Sequence, residues 1–398
     1  MQKTRALLFI ISLGIAPLIT SAQKQSFIIR ENLIFPEQPQ HVHGSSIVEL
    51  PNGDVLAAWF QGSGERSADD VRIMGARLVK GASGWSKPFL MADTPNLPDC
   101  NPVLFLNQKG KLFLVWIAVQ ANEWETSILR YRTSTDFLSA GAPKWSWQDN
   151  ILLNPGKEFQ EEVEKQFKEM PDLHRGWSTY APEYDKMIVE ASKDRKKRTT
   201  GWMTRIKPFL LNDGRIILPL YSDGYNFCLM ALSDDFGDTW TPGLPLVGRG
   251  PIQPALIRKK DGTLVAYMRD SGDAPVRVHK SESKDLGKSW TPSVKTDIPN
   301  TASVEMLQLK DGKWAFLGND IEDGRYKLSL YISDDEGATW KWKVRLEDKQ
   351  KNEGGYSYPA MILAADGTVR ITYSSHPTNQ TKSIKYVVVN PEAITKAR

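Results

Sequence analysis

The sequence predicts an all-β fold, a six-bladed β-propeller carrying a short helical insertion. Three observations lead there: one hairpin repeated six times, a second motif repeated between the hairpins, and strand-like segments near both ends. The hairpin is plainest where Gln253-Pro254-Ala255-Leu256-Ile257 precedes Asp261-Gly262 and then Thr263-Leu264-Val265-Ala266-Tyr267. Apolar and β-branched residues flanking an Asp-Gly pair read as strand, turn and strand.

The design recurs from His43 through Gly53 to Trp59, from Asn101 through Gly110 to Trp116, and from Lys207 through Gly214 to Tyr221. Two further copies run from Ser303 through Gly312 to Leu317 and from Tyr358 through Gly367 to Tyr373. Successive turn glycines lie 57, 104, 48, 50 and 55 residues apart. A four-stranded blade needs about 40 to 50 residues, so six copies imply six blades, with an insertion in the one long gap.

The second motif has the form S-x-D-x-G-x-[TS]-W and occurs at Ser233–Trp240, Ser283–Trp290 and Ser333–Trp340. Its Asp can bond turn amides, its Gly supplies a left-handed conformation, and its Trp plugs the gap between sheets. At the ends, Ser26-Phe27-Ile28-Ile29-Arg30 and Ile384–Val389 are expected to pair and close the ring.

Met1–Arg5 is basic, Ala6–Ile19 is apolar, and Thr20-Ser21-Ala22 is small, which describes a secretory signal over 1–22 and export to the periplasm or exterior. The remainder, 23–398, reads as one propeller domain with the insertion at about 156–201. Within it, Phe159, Val163 and Phe167 mark an amphipathic helix ended by Pro171, and a second helix is expected from Pro182 to about Lys196.

With 51 basic and 47 acidic residues the chain has a net charge of +4, which gives no case for nucleic acid. The apolar run at the start is too short to span a bilayer, so no membrane span is expected in the mature chain. Thirteen Trp and twelve Tyr suit a cleft that stacks on sugar rings, making a glycan the expected partner of a monomer. Cys100 and Cys228 fall in different blades, either bridged or buried as thiols, and no Cys or His spacing marks a metal site. No cofactor is expected.

In a propeller the innermost strands line one channel, so residues that open the six hairpins should converge: His43, Asn101, Lys207, Gln253, Ser303 with Glu305, and Tyr358 with Tyr356. His41 could share a face with His43, whereas His279 and His376 read as surface groups beside blade edges.

The repeated S-x-D-x-G-x-[TS]-W motif resembles the Asp boxes of the sialidase (neuraminidase) superfamily, over nearly the whole mature chain. The resemblance implies a glycosidase in which an arginine triad grips a sugar carboxylate. Arg269, in Tyr267-Met268-Arg269-Asp270, is similar to the second triad arginine, while His43 stands where the family's first-blade Arg-Ile-Pro motif places another. Arg205 or Arg175 is a candidate third cation. Tyr356-Ser357-Tyr358 resembles the segment bearing the nucleophilic tyrosine, and Asp69-Asp70 looks like the loop that holds the general acid. Gln253 falls where the family has a Glu that activates the nucleophile, so Glu305 or Glu353 would have to substitute. A tyrosine with a pKa near 10 otherwise supplies little phenolate.

The expected activity is hydrolysis of a terminal acidic sugar. His43 with Tyr358 also resembles propeller lyases and glycosidases of uronate- or rhamnose-containing glycans, in which His and Tyr transfer protons; His43 or Tyr358 would then move the proton while Arg269 or Lys207 holds the carboxylate. A glycan-binding propeller without turnover is the third expectation.

Overall fold

The computed structural model describes residues 27–170 and 181–396. The expected leader, Ser26, Arg175 and the 174–180 stretch lie outside the described residues. Among the described residues there are six antiparallel sheets, five of four strands and one of five. Their first strands are His41–Glu49, Asp99–Leu106, a pair of short pieces at Met203–Thr204 and Phe209–Leu210, Pro251–Arg258, Glu305–Gln308 and Gly355–Leu363. Neighbouring first strands touch except between the third and fourth blades, where Pro251–Arg258 packs on the third blade's Ile216–Ser222.

Closure of the ring uses the chain's start. Ile28–Leu33 lies beside Ser383–Val389, with Ile28 opposite Val389 and Leu33 opposite Lys385, so the last blade takes its outer strand from the N-terminal end. Between blades the core is apolar and tightly filled. Trp59, Trp116, Trp314, Phe60, Phe113 and Phe316 are all fully buried.

The three repeated boxes fold alike. In the last, the Ser333 hydroxyl donates to Asp335 at 2.7 Å and accepts the Gly337 N–H at 2.8 Å. Asp335 in turn accepts the Thr339 N–H and hydroxyl at 2.8 and 2.6 Å, which holds its carboxyl down at about 2. Glu336 and Gly337 both have positive φ, as do Phe236 with Gly237 and Leu286 with Gly287 in the other boxes. Ser333 is fully buried. Replacing it with Ala strands the Gly337 amide, so Ser333→Ala should lower stability by about 1–3 kcal/mol in urea unfolding.

Helices occupy the insertion at Lys157–Glu169, Ala181–Lys193 and Arg195–Thr199. The first buries Phe159, Val163 and Phe167 on one face, because residues four apart stack along a helix. Phe159 meets Trp202 and Tyr225 edge-on, and buried Gln166 donates to the Pro245 carbonyl while accepting the Val247 N–H. The second is tied down by Asp185 to Arg249 at 2.7 Å. Its Ala191 carbonyl accepts the Tyr225 hydroxyl, so the insertion buttresses the loop that follows strand Ile216–Ser222. Cys100 and Cys228 are buried free thiols. Among the described residues no helix is long and apolar enough to cross a membrane.

Candidate functional site

Nine residues before each turn glycine stand Gly44, Asn101, Arg205, Gln253, Ser303 and Tyr358. At four of them the ladder slips so that two residues oppose one: the breaks fall between His43 and Ser46, Cys100 and Val103, Ile252 and Ala255, and Ser357 and Ala360. Gly44, Asn101, Gln253 and Tyr358 have φ of 64°, 53°, 58° and 57° there. A left-handed residue that is not glycine costs about 1–2 kcal/mol, a strain that persists where surrounding structure over-determines the conformation. The bulge brings Asn101, Gln253 and Tyr358 into one network.

This register corrects two assignments. In the third blade the equivalent position belongs to Arg205, not Lys207, and in the first it belongs to Gly44, one residue past His43. The sequence held the signal, because the offset to the turn glycine is constant, whereas starts at His43 and Lys207 make it ten and seven. Only glycine fits at 44: a Cβ there would lie 2.6 Å from Phe60 Cε1. Gly44→Ala should therefore cost about 2–4 kcal/mol from strain and overpacking together, read as a drop in the thermal midpoint.

Tyr358 is the centre. Its hydroxyl oxygen accepts Arg269 Nη1 at 3.0 Å and Gln253 Nε2 at 3.3 Å. Around its ring stand His43, with centroids 4.0 Å apart, and the guanidinium carbons of Arg205 at 4.9 Å and Arg325 at 5.2 Å. Burial pushes the Tyr358 hydroxyl up, yet Arg269 and Arg325 outweigh it and the net shift is downward from the ordinary phenol value. Arg325 did not stand out in the sequence because it lies in a loop, after Gly318 and before Lys327, outside any repeated motif.

Arg205 is deeply buried. Its two terminal nitrogens donate to the Ser45 and Pro359 carbonyls at 3.0 and 3.1 Å, tying the first and last blades to the third. Burial lowers it to about 10, which leaves it cationic at neutral pH. Asn101 Nδ2 donates to the Tyr221 hydroxyl at 3.1 Å, and Tyr221 is a site neighbour missed in the sequence because it ends a second strand. Among the residues in contact with Tyr358, Arg205 Nε, Arg269 Nε and Gln253 Oε1 are buried polar atoms without a protein partner.

Several expected residues serve elsewhere. Tyr356 is buried in an apolar cluster; its N–H donates to the Arg325 carbonyl at 2.7 Å, which fixes the loop holding that arginine. Glu305 is committed to Lys207 at 2.7 Å and to the Met306 N–H, and the same Lys207 also reaches the Met306 carbonyl. Asp70 accepts the Ser63 N–H and hydroxyl at 2.8 and 2.5 Å, bonds that depress its pKa and make it a loop staple. Asp69 accepts Asn122 Nδ2 at 2.5 Å at the surface. The same loop instead carries Glu65 inward, its Oε2 3.2 Å from His41 Nε2 and near enough to act on the Tyr358 charge. Arg66 beside it pairs with Asp223 at 2.6 Å and covers the Trp124 ring at 4.0 Å.

His43 bonds Ser374 Oγ through Nδ1 at 2.7 Å, and Ser374 also accepts the Gly44 N–H. Burial first, then Arg325, His376, His41 and Arg205, hold its pKa well below the ordinary imidazole value, so His43 is neutral at physiological pH. His376 is not a surface group: its ring lies 5.5 Å from His43, its Nε2 donates to the Val42 carbonyl, and burial lowers it to about 4. His279 is likewise buried, against Asp270 at 3.3 Å. Among the described residues no cluster of His, Cys, Asp and Glu could hold a metal ion.

Comparison with known proteins agrees with this architecture. A family model described as a BNR repeat-like domain matches residues 53–371. A search of curated proteins by sequence finds no match. Among solved structures, leech intramolecular trans-sialidase is similar with a TM-score of 0.67 at 15% identity, over 92% of this chain and 71% of that one. The intramolecular trans-sialidase from Ruminococcus gnavus gives 0.65 at 15% identity, over 90% and 96% of the two chains. An alpha-L-arabinanase from Penicillium chrysogenum gives 0.58 at 14% identity, over 92% and 99%. Identities this low speak to the fold alone, while the family model spans most of the sequence. With its six blades, its Asp boxes and that match, the chain belongs to the BNR repeat-like family and is a sialidase-like propeller.

Proposed function

We propose that the protein is a glycoside hydrolase that removes a terminal keto-acid sugar from glycans. Tyr358 acts as nucleophile, Arg269 and Arg325 hold the sugar carboxylate, and Glu65 protonates the leaving oxygen. One observation carries this reading: Arg269 Nη1 sits 3.0 Å from the Tyr358 hydroxyl, with Arg325 over the same ring. A carboxylate held there lies beside the atom that attacks. That geometry suits a sugar bearing its carboxylate on the anomeric carbon better than a uronate, whose carboxylate is on the far side of the ring oxygen. Arginine is the residue for such a grip because its planar fork matches a carboxylate.

The solved structures that share the fold include enzymes named as intramolecular trans-sialidases, which supports a glycosidase reading. The contact between His43 and Tyr358 favours a second reading, a lyase in which one of the pair moves the proton. Incubation with sialyl and other keto-acid glycosides, followed by product mass analysis, tests the first reading. Free acid sugar is the expected product. An unsaturated uronate with its ultraviolet absorbance would establish the lyase, and binding with no product would establish a lectin.

A further inference from the structure

Gln253 poses a chemical problem. A neutral phenol is a poor nucleophile, and activation ordinarily comes from an adjacent base or a lowered pKa. At Gln253 a carboxamide occupies the site of contact with Tyr358 and donates to it. Glu305 is paired with Lys207. Among the described residues, no carboxylate bonds the Tyr358 hydroxyl.

We propose that a cage of arginines, Arg205, Arg269 and Arg325, delivers the Tyr358 nucleophile as its phenolate, with Gln253 as a neutral hydrogen-bond donor and no carboxylate base. The phenolic proton leaves to solvent before substrate arrives. Two N–H groups, from Arg269 and Gln253, already point at the oxygen that would bear the charge. The proposal rests on the hydrolase reading only for its last steps. In those, the phenolate pair forms a bond to the anomeric carbon, and the glycosidic C–O bond breaks with its pair on the leaving oxygen. That oxygen takes the proton of Glu65. Water then attacks the same carbon, gives its proton to Glu65, and the tyrosyl C–O bond breaks to regenerate the phenolate.

Arg205 has a separate part. A substrate carboxylate would partly neutralise Arg269 and Arg325. Arg205 is committed to the Ser45 and Pro359 carbonyls, so it cannot turn toward substrate and its charge stays on the ring face. It is a positioning residue for the charge of Tyr358. The titratable and charged groups around Tyr358 are His43 and Glu65 of the first blade, Arg205 and Tyr221 of the third, Arg269 of the fourth and Arg325 of the fifth. His41 of the first blade and His376 of the sixth stand against His43. Both His43 and His376 are held neutral, so the net field is cationic. Tyr184, Tyr221, Tyr225, Tyr267, Tyr331, Tyr356, Tyr373 and Tyr386 are all shifted upward, chiefly by burial, and Tyr358 is the one shifted downward among the described residues.

The first measurement needs no substrate. Full-length protein labelled with carbon-13 at the tyrosine ζ position is titrated by NMR, the Tyr358 signal being identified by its loss in Tyr358→Phe. Tyr358 should ionise before every other tyrosine and below the ordinary value near 10. Arg325→Met, at a partly exposed loop position that leaves the blades intact, should raise that midpoint by about one unit or more. Gln253→Glu should raise it too, since a carboxylate opposes the phenolate, and Arg205→Lys should retain most of the wild-type behaviour. A Tyr358 that titrates at or above 10, or that ignores Arg325→Met, overturns the proposal. So does a Gln253→Glu enzyme that turns over faster than wild type. If the titration behaves as expected and no keto-acid glycoside is cleaved, the hydrolase reading fails while the caged phenolate stands.

Discussion

Tyr358→Phe is expected to lower kcat/KM for the cleaved glycoside by about a thousandfold or more, equivalent to about 4 kcal/mol of transition-state stabilisation. The substitution keeps the ring that packs against His43 and beneath Arg205 and Arg325, so the architecture survives it. It removes one oxygen, the acceptor of Arg269 and Gln253. Because both arginines of the clamp remain, KM should move far less than kcat, which separates loss of the nucleophile from loss of binding. A fluorinated acid sugar should trap the wild-type protein as a tyrosyl adduct visible by mass spectrometry and leave the variant unmodified. Activity within tenfold of wild type would remove Tyr358 from the chemistry and return attention to His43.

How much of this could be read from the sequence differs sharply between scaffold and site. The blades were legible because each repeats a local code: Asp-Gly or its equivalents at φ > 0, flanked by strands whose period is two, and a box whose Ser, Asp, Gly and Thr or Ser bond one another within seven residues. Ring closure was legible for the same reason, since Ile28–Leu33 is a strand with no local partner. The site is a different kind of object. Asn101, Gln253 and Tyr358 emerged because they occupy a repeated register, and Arg269 because it ends a strand next to a recognisable segment. Glu65 and Arg325 sit in loops between second and third strands, where no periodicity says which side chain turns inward. Asp69-Asp70 drew notice through its likeness to a first-blade loop bearing the general acid, and in the fold Ser63 and Asn122 bond the two carboxylates. Lys207 and Glu305 each looked available alone, and only the fold shows that they neutralise one another.

Glu65→Gln is the second large effect. As the proton donor to the leaving oxygen, Glu65 should contribute about a hundredfold to ten-thousandfold to glycan cleavage. The loss should depend on the leaving group: an alcohol of high pKa cannot depart without a proton, whereas an activated aryloxide can. Glu65→Gln should therefore lose at least about a hundredfold on a natural glycan and stay within about tenfold of wild type on an aryl glycoside. Asp70→Asn provides the comparison. Its carboxylate accepts the Ser63 N–H and hydroxyl, which hold its pKa below the ordinary value and tie it to the loop. That variant should loosen the loop and lower both substrates alike. The same leaving-group contrast in Asp70→Asn, with none in Glu65→Gln, would move the acid to Asp70 and leave Glu65 as the partner of His41. Glu65 is the better candidate on geometry because its loop already brings it to the wall that His41, His43 and Phe60 form beside the Tyr358 ring. A donor on one side of the anomeric carbon and an arginine-held oxygen on the other is the arrangement that splitting an acidic ketoside requires.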